Sequence, residues 1–214
     1  MSELNPAFSM SLARQFNAIR QLSPENLILK KDRWNHTIKD VKKSGFICYD
    51  GRTYLVKEVG SYQEFDEKFV NSSSLPWFEL KLFCIDTGEI VNLEWEEDDD
   101  IEVSMTLKEL KFSDLRDDER EAVDEDDLDQ IAEEEEGIFF GGKKFDYDDD
   151  YPAKYYRNSI IEGGDKVYMY EFEAQDGTCL TIEEWQQSGG KEEYKIYLSS
   201  QIDVNNIEII SLGG

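Results

Sequence analysis

The sequence predicts a mainly β fold. It comprises two tandem, similar antiparallel units, barrel-like or bent sheets, with an N-terminal helix ahead of them and an acidic, partly helical linker between them. Three observations carry this reading. From residue 46 onward apolar and polar residues alternate with a period of two, the spacing that separates the two faces of a strand. The alternating runs are punctuated by Asp50-Gly51, Gly88, Gly141-Gly142 and Asp176-Gly177, residues that tolerate the positive φ of tight hairpins. The same order of strand, turn and strand returns roughly 90 residues later, the mark of an internal repeat. The segments are therefore 1–45 (helix and cationic segment), 46–112 (first β unit), 113–137 (acidic linker) and 138–214 (second β unit).

In chain order, Phe8, Leu12, Phe16, Ile19 and Leu22 fall at helical spacing and Pro24 ends the run, which predicts a short amphipathic helix. Its apolar stripe is expected to cover its own body or a second copy of the chain, the cationic face being thin for a membrane surface. Residues 46–56 read as a hairpin about Asp50-Gly51. Residues 78–85 and 90–96 follow as strands, with Val91, Leu93 and Trp95 on one face and Asn92, Glu94 and Glu96 on the other. Ile101, Val103, Met105 and Leu107 continue the alternation, which predicts a half-buried antiparallel meander.

The repeat aligns Phe83, Gly88 and Leu93 with Phe172, Gly177 and Ile182 at one offset, while Trp95 meets Trp185 one residue out of step. That slip predicts a β-bulge before Trp185; without one the indole crosses to the other face. Between the units, Leu115, Ala122, Val123, Leu128, Ile131 and Ala132 form an incomplete apolar stripe among runs of Asp and Glu. Ser113 and Gly137 are suited to cap and stop a helix there, which carboxylate repulsion leaves marginal.

The chain of 214 residues has a formal charge of −26, with 23 Lys plus Arg against 49 Asp plus Glu. Residues 1–45 carry +4, leaving −30 for the rest. Such a body repels phosphate backbones and anionic lipid, so direct nucleic-acid binding is not expected. Aromatic residues reach 13 %, enough to supply a packed core. Cys48, Cys84 and Cys179 are odd in number and widely spaced, as free thiols are in a reducing compartment. No run approaches the roughly 20 apolar residues of a membrane span. A cytoplasmic protein is expected.

No catalytic constellation is legible. His36 is the single histidine, which removes most histidine-based triads and imidazole metal sites. The pairs Gly141-Gly142, Gly163-Gly164, Gly189-Gly190 and Gly213-Gly214 lack the residues of a phosphate loop and read as turns. Ser72-Ser73-Ser74 lacks a nucleophile elbow. The acidic clusters at 96–100, 124–129 and 146–150 lack the alternating pattern of a calcium loop. No cofactor or metal site is expected. Trp77, Trp95, Trp185 and Tyr147 read mainly as core aromatics, whereas Tyr151, Tyr155 and Tyr156 lie in what reads as a loop, where packing explains aromatics poorly. Trp77, Tyr151, Tyr155 and Tyr156 are the candidate residues for binding a ligand or partner.

Three stretches carry a resemblance: 77–83 (WFELKLF), 88–96 (GEIVNLEWE) and 172–185 (FEAQDGTCLTIEEW). They are similar to a bacterial domain-of-unknown-function family, number 4178, over roughly residues 26–210. The resemblance implies a β-rich cytoplasmic module without an assigned catalytic site and, by association, a place in a membrane-stress or envelope-related complex. It transfers no functional residues.

The functional expectation is a non-enzymatic interaction or accessory module whose partner presents a basic surface, one form of which mimics nucleic-acid charge. The alternative is a carboxylate-based or divalent-cation-dependent hydrolase or ligand-binding protein. Homo-oligomerisation through the N-terminal helix is a third expectation.

Overall fold

The computed structural model describes residues 6–72, 74–158, 163–187 and 191–214, without the side chains of 6–11 and 187. Helix α1 (Pro6–Ile19) leads into eleven strands: β1 (Phe46–Tyr49), β2 (Arg52–Glu64), β3 (Trp77–Cys84), β4 (Ile90–Glu97), β5 (Ile101–Leu110), β6 (Ile138–Phe140), β7 (Lys143–Arg157), β8 (Asp165–Glu173), β9 (Thr178–Gln187), β10 (Lys191–Gln201) and β11 (Glu208–Ser211). A short α2 (Leu128–Glu133) lies between β5 and β6. The protein is mainly β, as the alternation predicts.

All eleven strands join one antiparallel sheet in the order β11-β1-β2-β3-β4-β5-β10-β9-β8-β7-β6, and an added pairing of β2 with β7 closes eight of them into a ring. Two long-range seams do this. β5 pairs with β10 from Leu110↔Ile196 to Ser104↔Gln201, and β2 pairs with β7 from Gly60↔Arg157 to Glu64↔Ala153. Residues 46–112 and 138–214 thus share one sheet. The hairpins form where the turn chemistry predicts: Asp50 and Gly51 both have positive φ (48° and 71°), as do Gly141 and Gly142 (59° and 84°), the backbone that a two-residue β-turn with right-handed strand twist demands.

The hydrophobic cores lie on the outer face of the ring. One gathers Tyr54, Val56, Leu80, Leu82, Leu93, Trp95, Val103 and Met105 beneath Ile38, Val41, Ile47 and Ile209. A second gathers Tyr170, Phe172, Leu180, Ile182 and Ile196 beneath Leu115, Val123, Leu128 and Ile131. The acidic segment 113–137 is therefore a cover held down by its apolar stripe. Its α-helix covers six residues, part of the linker as expected, where adjacent carboxylates oppose extension.

Three local expectations are corrected. Residues 151–156 are not a loop: they lie within β7. No bulge precedes Trp185, since β9 pairs without a break with β8 and with β10. The slip is realised as a change of face, with Trp95 in the outer core and Trp185 inside the ring. Helix α1 docks through Ala18, with Leu22 just beyond its end, against Phe46, Leu55 and Phe83, and Gln15 donates to the Asp86 carbonyl. Leu12, Phe16 and Ile19 of the predicted stripe remain exposed at 38 %, 56 % and 50 %. The Phe8 side chain, Ser73 and Gly189-Gly190 lie outside the described residues. No helix among the described residues is long and apolar enough to cross a membrane.

Candidate functional site

Strand parity sends the polar alternates into the ring. Leu80 and Leu93 are paired on the outer face, so their neighbours Glu79 and Glu94, also directly paired, point inward. The same count along β8 and β9 places Glu171, Glu173 and Glu183 inside. Contacts between strands that are not neighbours confirm the direction. The Tyr62 hydroxyl on β2 donates to Glu183 Oε1 on β9 at 2.9 Å, and the Tyr155 hydroxyl on β7 donates to Glu79 Oε1 on β3 at 2.9 Å. Such bonds can only span the interior.

Halfway along the interior an aromatic plug forms from Tyr62, Tyr155 and Trp185 with Ala153, Val167 and Met169. Tyr62 and Tyr155 lie 4.7 Å apart and Tyr155 meets Trp185 edge-on at 5.5 Å. Gly60 makes room for it, because a Cβ there would overlap the Tyr155 ring. The plug holds its carboxylates with donors: Trp185 Nε1 donates to Glu183 Oε2 at 2.7 Å, and Lys195 Nζ sits 4.0 Å over the Trp185 ring. Burial, with the charge of Glu79, pushes the Glu183 carboxyl up to about 7 against the pull of Lys195 and these hydrogen bonds. Burial likewise raises Glu79, opposed by the bond from Tyr155.

Above the plug the ring opens into a cavity of about 350 Å³. Trp77 forms one wall, stacked on Tyr62 at 5.3 Å, and Tyr151 meets Trp77 edge-on at 6.0 Å. Around them stand seven carboxylates, Glu64, Glu94, Glu96, Glu102, Asp148, Glu171 and Glu173, and no Lys, Arg or His is among the described lining residues. Glu171 accepts a bond from the Tyr151 hydroxyl at 2.8 Å. Burial holds the Glu94 carboxyl well above the usual range, reinforced by Glu79, Glu183 and Glu171, with no hydrogen bond to offset it. Ser74 Oγ, also on the lining, is buried without a hydrogen-bond partner among the described residues. The Cys179 thiol on the wall is pushed up to about 11, by burial first and then by Glu173 and Glu171, so it is a protonated thiol and not a nucleophile.

Of the four residues singled out from sequence, Trp77 and Tyr151 line the cavity and Tyr155 lies in the plug below. Tyr156 does not join them: it alternates to the opposite face of β7 and its ring packs beside Gly164. Sequence reasoning missed Tyr62, Glu79, Glu94, Glu171 and Glu183. The alternation of Asn92, Glu94 and Glu96 was visible, but it reads equally as a solvent face. A better signal is Glu79, a lone acid between apolar neighbours in 77–80. His36 lies 3.9 Å from Asp40 and does not line the cavity. Among the described residues no group of three or more His, Cys, Asp or Glu is placed to hold a metal ion.

No curated protein and no solved structure matches the chain. A family model matches residues 43–204, which span all eight strands of the ring. The chain therefore belongs to the family described as domain of unknown function DUF4178.

Proposed function

We propose that the protein is a non-enzymatic binding module that receives a positively charged partner at the acid-lined mouth of its ring. The observation that carries this reading is the cavity lining, with seven carboxylates and no basic side chain among the described residues. Like charges so gathered repel one another, and a cation relieves that repulsion when it binds. Aromatic walls suit the same partner, since a cation over an indole or phenol face is attracted by the ring.

Residues 46–112 and 138–214 are read as tandem copies of one unit. What supports this is their shared order of a hairpin followed by a meander, β1–β5 and β6–β10, with corresponding strands meeting at both seams, β2 with β7 and β5 with β10. The hydrolase alternative draws less support. The Glu183 carboxyl, raised to about 7, accepts from Tyr62 and Trp185 within the plug and does not line the cavity, so it is not placed to exchange a proton with a molecule held there.

Titration of the full chain with an oligolysine peptide tests the reading. Binding is expected to weaken with salt and to fall about tenfold in a Glu96→Gln/Glu173→Gln double variant. A control pair on the outer cover, Glu133→Gln/Glu134→Gln, is expected to bind like the parent. Equal losses from the two pairs would show a general charge effect and sink the proposal.

A further inference from the structure

Not all the acids inside the ring are alike. The carboxylates of the plug are met by hydroxyl and indole groups, whereas Glu94 has no hydrogen-bond or ion-pair partner among the described residues. It lies directly across from Glu79, enclosed by the ring wall, and its residual exposure is toward the cavity. Glu94 is half-buried and Glu79 buried; two acids so enclosed and directly opposed are unfavourable to each other, so the place of Glu94 in the wall points to a cation that enters from the mouth. The buried Ser74 Oγ on the same lining, without a partner among the described residues, adds an acceptor for a donor on that cation.

The spacing says which kind. Glu94 and Glu96 are alternate residues of β4, and Glu171 and Glu173 are alternate residues of β8. Each pair therefore projects from one face at a repeat of roughly 7 Å, forming two carboxylate columns from the plug toward the mouth. Ammonium groups separated by a few methylenes repeat on a comparable length. A single metal ion fits poorly, since the described carboxylates do not converge on one point. A cavity of about 350 Å³ falls in the size range of small-molecule sites, and Trp77 and Tyr151 offer apolar surface to the methylenes. We infer that the mouth of the ring binds a linear organic polyamine, its innermost ammonium on Glu94, its outer ones between the columns, and its methylenes along Trp77 and Tyr151.

This rests on the reading of the mouth as a cation-binding site. The test is calorimetric titration of the full chain with spermidine at neutral pH and fixed ionic strength, with magnesium chloride as the comparison. Saturable one-to-one binding is expected for spermidine and not for magnesium. Glu94→Gln is expected to weaken it at least about tenfold and Glu171→Gln to weaken it less, while Glu134→Gln on the outer cover leaves it unchanged. Glu94→Gln removes a like-charge contact, so a folded variant is expected, and its circular dichroism spectrum verifies that; Glu171→Gln, which can still accept from Tyr151, provides a second reading. Absence of saturable binding, an unaffected Glu94→Gln variant, or displacement by equimolar magnesium would each overturn the polyamine site. If spermidine fails while oligolysine still depends on Glu96 and Glu173, the polyamine inference falls and the wider reading stands. If oligolysine shows no such dependence either, both fall.

Discussion

Two stretches of the ring interior, the plug and the mouth, are built from the same residue types and differ in how their carboxylates are satisfied. In the plug Glu183 accepts from both Tyr62 and Trp185 and Glu79 accepts from Tyr155. In the mouth Glu94 accepts from nothing described and faces the cavity. A buried acid with donors is part of the scaffold, since removing a donor leaves the charge uncompensated. A half-buried acid without donors, set against another acid, costs stability and contributes only when something else arrives. The difference teaches that burial alone does not separate structure from function here; the hydrogen-bond inventory does.

The comparison is broken most severely through the plug. Trp185→Ala removes an indole that is 7 % exposed together with a donor to Glu183, and a loss of about 3–5 kcal/mol is expected in urea unfolding. A loss below about 1 kcal/mol would mean that the plug is not the keystone of the interior.

Next is pH. Glu183 is raised from 4.5 to about 7, and Glu79, Glu94 and Glu171 are raised too. For a carboxyl whose folded-state value lies above its unfolded one, the folded chain binds the extra proton. Its stabilising contribution is thus complete below about 4.5 and lost as pH rises through about 7. Unfolding free energy is expected to fall between pH 5 and pH 8, by roughly 3 kcal/mol from Glu183 at most. Glu183→Gln, which keeps an acceptor, is expected to flatten that slope. A stability profile rising over this range would contradict the interior assignment of these acids.

The smallest effect belongs to the mouth and has the opposite sign. Glu94→Gln is expected to stabilise the chain by up to about 1 kcal/mol at pH 8, by relieving the contact with Glu79, and by less at pH 5, since burial raises the Glu94 carboxyl and favours its neutral form as pH falls. Destabilisation at both pH values would assign Glu94 to the scaffold alongside Glu183.

Much of the fold was legible because its signals are local. The turns at Asp50-Gly51 and Gly141-Gly142, the strands of the meander and the apolar stripe of the linker follow from φ preferences and from the two faces of a strand. The site was legible in part. Trp77 and Tyr151 stood out as aromatics, Tyr155 emerged for the wrong reason, as a loop residue, and Tyr156 was grouped with them only by adjacency, although neighbours on a strand point to opposite sides. Glu94 and Glu171 were hidden among 49 acids, with nothing in their immediate neighbours to mark them.

The sequence by itself determined the strand content, the hairpin turns, the strong acidity of everything after residue 45 and the division of each strand into an apolar and a polar face. The tertiary structure alone decided which face is enclosed. In an open meander the polar face meets solvent. Here the seams of β2 with β7 and β5 with β10 curl the sheet so that this face lines the interior, while residues 28–41, β1, β11 and the acidic cover bury the apolar one. Ring closure joins residues about a hundred positions apart, and no local alternation encodes its direction.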